Sequence, residues 1–240
     1  MLLTTESSCN TVKIRFVVVV KEGTRNWFPL HRELIGAVLH PGLVVDWHNE
    51  EGPLKEIKSL EDAQIMGEYV VRGAQEAERL GFDAVAVPCL LQPGVKEARE
   101  RTRIPVIGAA EASLAVASKL GQKIAFVVGG DNTESLENVV RSLPGAEYVV
   151  RYIGIGGTPL DFSDMSKFNR VLERMEQGMR RAIEDGADVI IGYGSLPLIC
   201  ELRQRLAVPI VSPIQAVVLY AEHVARVRAA FVRQVNEHDV

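Results

Sequence analysis

One sentence is written twice in this chain, and that repeat limits its fold more than any other feature. Residues 81–113 read GFDAVAVPCLLQPGVKEARERTRIPVIGAAEAS, and residues 186–217 read GADVIIGYGSLPLICELRQRLAVPIVSPIQAV. Gly81-Phe82-Asp83 matches Gly186-Ala187-Asp188, and Arg103-Ile104-Pro105-Val106-Ile107 matches Ala207-Val208-Pro209-Ile210-Val211. The run Ala84 to Val87 is short, apolar and bounded by Asp83 and Pro88. That composition suits a parallel strand covered on both faces. The spacing of the two copies is that of half-domains rather than of a solenoid unit, so the chain reads as two related α/β halves. Two such halves facing each other bring their strand-end loops to one central cleft, the end of an open α/β sheet where ligands bind.

The remaining segments alternate in the same way. Strands are expected over Lys13–Val20, Leu43–Trp47, Lys123–Val128 and Tyr148–Ile155. Helices are expected over Leu30–Leu39, Glu61–Leu80, Ala110–Leu120, Glu134–Leu143, Ser166–Asp185 and Ile214–Val235. In Glu61–Leu80 the apolar positions Ala63, Met66, Val70, Ala74 and Ala77 recur at helical spacing. The fold class is therefore α/β, two pseudo-twofold-related parallel-sheet halves with helices on both faces. The first half is expected over 13–110 and the second over 111–213, with the crossover near 108–122. The last helix, 214–235, has the option of returning to the first half or of meeting another subunit. Residues 1–12 read as a polar lead-in.

Composition removes several function classes. A chain of 240 residues with a net charge of −4 lacks the basic balance of a nucleic-acid binder. Its apolar runs, such as Phe16–Val20, are far too short to span a bilayer. The opening MLLTTESSCN has no basic start followed by a long apolar stretch, so a cytoplasmic location is expected. Three cysteines, Cys9, Cys89 and Cys200, do not make a disulfide framework.

Cys89 is the leading candidate for chemistry. It follows a strand at its carboxyl end, and Pro93-Gly94 and a helix from Val95 come behind it. A thiol ahead of a helix N-terminus feels the positive end of the dipole, which favours thiolate. The expectation is a lowered pKa and faster alkylation than at Cys200. The plain alternative is a small buried hydrophobe. Cys200 falls inside a helix and reads as structural, and Cys9 lies in the lead-in.

Counted from each Gly-x-Asp, Cys89 falls opposite Gly194. In the Gly192-Tyr193-Gly194-Ser195 loop two glycines permit close backbone approach to a ligand. N–H groups at a helix start can hold a carboxylate, and the Ser195 hydroxyl can add a hydrogen bond. An ordinary strand-to-helix turn is the alternative, with Tyr193 in the cleft or on the core. The loops Lys21-Glu22-Gly23-Thr24 and Gly129-Gly130-Asp131-Asn132-Thr133 also end strands. Each is a ligand-loop candidate, and Asp131 or Asn132 can equally be a plain N-cap. Glu111 opens a helix, where a carboxylate is favoured by the dipole alone. No GxGxxG after the first strand, no phosphate-binding GxxxxGK[ST], no GxSxG and no metal-ligand spacing among the five histidines occur. What remains is an enzyme built on one thiol, with no cofactor and no metal.

The stretch Gly81-Phe82-Asp83 through Cys89, Pro93-Gly94, Ala98-Arg99, Ile104-Pro105-Val106-Ile107-Gly108 and Glu111-Ala112 resembles the aspartate/glutamate/hydantoin racemase superfamily, nearest its hydantoin and allantoin racemases. The loop from Gly52-Pro53 to Ile57 and Ser59, with Asp62 beyond, is similar too. The resemblance covers residues 13–218. It implies two cysteines facing each other across a pseudo-twofold cleft, one removing an α-proton and the other returning a proton on the opposite face. Cys89 matches the first of them. Gly194 stands where the second is implied, and of the family's Asn-Pro-Asn-Thr loop only Thr24 is retained.

The expectation is therefore a cofactor-independent isomerase acting at a carbon next to a carbonyl or carboxylate, with Cys89 as acid/base. Leu90 (through its N–H), Thr24, Gly129, Gly130, Tyr193, Gly194 and Ser195 are the expected substrate contacts. A one-cysteine decarboxylase of the arylmalonate type and a non-catalytic binder of small carboxylates stay open beside it. The expected partners are a small-molecule substrate and further copies of the chain in a homo-oligomer, with neither nucleic acid nor membrane.

Overall fold

The computed structural model describes residues 11–39, 41–130 and 133–237, without the side chains of 24, 26, 159, 163 and 232–237. Cys9, Asp131 and Asn132 lie outside the described residues. The first half runs β1 Val12–Val18, α1 Gly23–Asn26, α2 Phe28–Gly36, β2 Leu43–Asn49, α3 Leu60–Arg79, β3 Ala84–Val87, α4 Val95–Arg101 and β4 Val106–Gly108. Then come α5 Ala109–Ala117, β5 Ile124–Val128, α6 Glu134–Arg141, β6 Val149–Gly154, α7 Phe168–Glu184, β7 Val189–Gly192, α8 Leu196–Arg205, β8 Ile210–Val211 and α9 Pro213–Glu237.

Two four-stranded sheets form, in the orders β2-β1-β3-β4 and β6-β5-β7-β8. Every strand pair within them is parallel. The sequence repeat is a structural repeat. Asp83 N donates to Lys13 O at 2.8 Å, and Asp188 N donates to Lys123 O at 2.9 Å. Arg99 Nε donates to Val106 O at 2.8 Å, and Arg203 Nε donates to Ile210 O at 3.2 Å. The same residues brace the same strand ends in both halves.

The strands bury their apolar runs completely. Val85 and Ala86 in β3, and Ile190 and Ile191 in β7, are all at 0% exposure. Helix α3 lays Met66, Val70, Ala74 and Ala77 on the first sheet, as the helical spacing requires. Truncating a side chain such as Met66 to alanine costs about 2–5 kcal/mol. Helix α9 packs against α5 above all, and also against β1, β3, β4 and α2. Ile214, Val217, Val218 and Ala221 are buried there within the chain. Among the described residues no helix is long and apolar enough to cross a membrane.

One boundary matters for the site. β1 stops at Val18, and the expected ligand loop Lys21–Thr24 instead turns into α1. Glu22 takes a left-handed conformation, φ 58°, and Gly23 packs so tightly that a Cβ would lie 2.4 Å from Asn49 Oδ1. This folds the chain back so that Val19 and Val20 stay buried and Trp27 is brought in behind them.

Candidate active site

The carboxyl ends of β1, β3, β5 and the segment after β7 converge on one cavity of about 470 Å³. Val17–Val20, Val87–Leu91 and Pro93 form its wall from the first sheet. Val128–Gly130, Leu136 and Tyr193 form it from the second. Trp27, His31, Phe162 and the Glu56–Lys58 loop complete an enclosure that is mainly apolar.

Cys89 is half-buried in this wall. Its carbonyl accepts a hydrogen bond from Gln92 N at 3.0 Å, closing a tight turn in which Gln92 has φ 50°. Gln92 Oε1 accepts from Glu111 N at 2.9 Å, which ties the turn to the start of α5. Glu111 also accepts from Gly108 N and pairs with Arg99, so its role is to cap and brace. The expected lowering of the thiol pKa does not occur. α4 begins only at Val95, after a left-handed Gly94, too far along the chain for its positive end to act on Cys89. Burial pushes the thiol up to about 11, against a smaller opposing pull from the backbone N–H groups of Leu91 and Gln92.

A buried aromatic cluster that joins the two halves lines the same cavity as Cys89. His31 Nε2 lies 3.1 Å from the Tyr193 hydroxyl. The imidazole stacks on Trp27 at 5.8 Å and meets the edge of Phe16 at 5.2 Å. The Tyr193 ring is edge-on to Trp27 at 6.3 Å and to Phe162 at 5.7 Å. Burial lowers the His31 pKa to about 3, so the ring is neutral. Burial, and then the neighbouring Cys89, raises the Tyr193 phenol above its ordinary range. His31 Nδ1 and Trp27 Nε1 are buried and find no hydrogen-bond partner among the described residues.

The expected site residues divide. Cys89, Leu90, Gly129, Gly130 and Tyr193 line the cavity together. Gly194 and Ser195 do not. A Cβ at position 194 would lie 2.5 Å from Leu198 Cδ2, so that position points into α8 rather than across the cleft. Ser195 Oγ accepts from Leu198 N at 3.4 Å and caps α8. It lines a separate pocket of about 200 Å³ with Arg25, Glu33 and Met165. Thr24 sits in α1, and its side chain lies outside the described residues. Cys200 is exposed on α8 rather than part of the core. His31 and Trp27 were missed. Their one signal is that Trp27, His31 and Leu34 share a face at the start of α2, a polar ring on an apolar stripe.

A parallel two-sheet frame with a lone thiol at the strand ends is now in view, and sequence comparison assigns it. The family model described as Asp/Glu/Hydantoin racemase matches residues 28–221. The chain belongs to the Asp/Glu/hydantoin racemase family. It is an enzyme of the racemase/isomerase class. It is 29% identical over 171 residues to a hydantoin racemase of Pseudomonas sp. (strain NS671), spanning 69% of this chain and 68% of that one. A hydantoin racemase of Rhizobium meliloti is 28% identical over 153 residues, 62% of each chain. Among solved structures, the allantoin racemase from Klebsiella pneumoniae superposes with a TM-score of 0.79 at 22% identity, covering 90% of this chain and 89% of that one. Unliganded arylmalonate decarboxylase superposes with a TM-score of 0.63 at 19% identity, covering 90% and 93%. These two likenesses establish the shared fold of the racemase family and its neighbours.

Proposed function

We propose that this family member is a cofactor-independent racemase that moves a proton at a carbon alpha to a carbonyl, with Cys89 as the acid/base. The observation that carries the proposal is the placement of one thiol in a mainly apolar cavity built from both halves. Burial makes thiolate scarce at neutral pH, and it makes the thiolate that does form a stronger base toward a weak carbon acid. The enolate formed then needs donors. The backbone N–H groups of Leu90 and Gly129 lie in the same wall and suit that task, whereas that of Gly130 donates to Gly156 O at 3.4 Å.

The wall favours a hydantoin or allantoin-like ureide over an aspartate- or glutamate-like diacid. Lys58 is the one Lys or Arg on it among the described residues, and its ammonium lies 3.6 Å from Glu56. A dicarboxylate would meet little positive charge there, whereas a neutral ring with an apolar substituent matches the valines and aromatics. A decarboxylase reading keeps one specific support. A buried neutral thiol is the form that gives a proton to an enediolate after loss of carbon dioxide.

The test is product analysis with single enantiomers of 5-substituted hydantoins and allantoin, and with substituted malonates, against a no-enzyme control. Loss of optical purity with the hydantoins, absent in Cys89→Ser, supports the racemase. Carbon dioxide release from malonates alone supports the decarboxylase. Turnover of none of them by the wild type would remove both readings.

A further inference from the structure

We infer that Tyr193, held by His31, is the proton donor on the substrate face opposite Cys89. This rests on the proposed function and adds the second group that inversion requires. The first argument is position. β3 and β7 are equivalent strands, matched through Asp83 and Asp188. Cys89 comes shortly after one, Tyr193 directly after the other, and both line the one cavity. Glu56 and Lys58 sit in the same half as Cys89. Ser135 reaches the wall from the second half, but an alkyl hydroxyl is a far weaker acid than a phenol.

The second argument is the state of His31. Its ring is neutral, so one nitrogen carries the hydrogen and the other a lone pair. Nδ1 has no partner among the described residues. A hydrogen on Nδ1 would be a buried N–H with nothing to accept it, which is a rare and costly arrangement. The network therefore assigns the hydrogen to Nε2, which donates to the Tyr193 oxygen at 3.1 Å. The phenol hydrogen is then free to donate into the cavity. The edge-to-face contacts with Trp27 and Phe162 hold the Tyr193 ring in place.

The step balances. The Cys89 thiolate takes the α-proton, so an S–H bond forms, the C–H bond breaks, and the electron pair passes to the adjacent carbonyl oxygen. Collapse of the enolate forms a new C–H bond on the other face as the Tyr193 O–H bond breaks. The phenolate left behind keeps its hydrogen bond from His31 Nε2. A proton then moves from the Cys89 thiol to the phenolate through water, restoring both groups. Tyr193 touches the reacting carbon in this scheme, and His31 is a positioning residue.

The experiment uses one enantiomer of 5-benzylhydantoin in deuterated water, following α-deuterium uptake and inversion separately for wild type, Tyr193→Phe and Cys89→Ser. Phenylalanine keeps the ring packing and removes only the hydroxyl. The expected result for Tyr193→Phe is uptake within several-fold of wild type with configuration retained, and inversion reduced about 100-fold or more, the lower range for a lost acid/base group. His31→Leu should lower the ratio of inversion to uptake, and His31→Gln, which keeps an N–H donor, should restore part of it. Inversion at the wild-type rate in Tyr193→Phe overturns the inference and leaves the Cys89 reading standing. Loss of uptake and inversion together in a folded Tyr193→Phe also overturns it, because it places Tyr193 in the first proton transfer. Unchanged behaviour of Cys89→Ser, or a wild type that does not turn over the hydantoin, overturns the proposed function and this inference with it.

Discussion

His31 Nε2 and the Tyr193 hydroxyl lie 3.1 Å apart, one on α2 of the first half and the other just after β7 of the second. The bond joins the two halves within the cavity wall. It gives the otherwise isolated phenol a fixed partner, and it gives a buried imidazole one of the two partners it can use. The cavity is thereby asymmetric, lined by a thiol of the first half and by a phenol of the second half that is paired with an imidazole.

The buried imidazole makes the fold sensitive to acid. The His31 pKa is about 3 in the folded chain, against an ordinary 6.5. Between these values the unfolded chain binds the proton and the folded one does not. Stability from this group is complete above pH 6.5 and falls as pH drops toward 3, by about 5 kcal/mol in all. Urea unfolding from pH 7 to pH 4 should show a steeper fall in midpoint for the wild type than for His31→Gln. Parallel curves would mean that His31 is protonated in the folded chain.

Alkylation should follow the thiol and not the helix. Cys89 is half-buried with a pKa near 11, and Cys200 is exposed on α8. At neutral pH iodoacetamide should therefore modify Cys200 before Cys89. The Cys89 rate should rise about tenfold per pH unit toward 11, as the thiolate fraction does. Peptide mass spectrometry after timed quenching reads both sites. Preferential labelling of Cys89 at pH 7 would show a thiolate that the burial does not allow.

Position 194 should not accept a second catalytic thiol. Its Cβ direction runs into Leu198 at 2.5 Å. Gly194→Cys should lose about 1–3 kcal/mol through overpacking and gain no racemase activity. Denaturation together with chiral chromatography checks both halves of this statement. A stable variant that racemises faster would put position 194 in the cavity after all.

The halves were legible because apolar runs and Gly-x-Asp turns recur, and burial on both sheet faces demands such runs. Cys89, Leu90, Tyr193 and the Gly129-Gly130 turn were legible from their places at strand ends. Gly194 and Ser195 were not, because counting residues through a turn does not tell which carbon faces the cavity. Ser195 is drawn away by the N–H groups of α8 that it caps. His31 and Trp27 come from α2, remote in sequence from Cys89 and Tyr193, and only tertiary packing brings them to the wall. The direction of the thiol pKa was misread because α4 starts late and desolvation outweighs the nearby N–H groups.

The most direct measurement of the central claim is α-deuterium incorporation. A single enantiomer of a 5-substituted hydantoin, incubated in deuterated water with wild type or Cys89→Ala, is followed by mass spectrometry. The account predicts rapid uptake with the wild type and a loss of about 100-fold or more in the variant. Uptake by Cys89→Ala at the wild-type rate would contradict it, because another group would then be moving the proton.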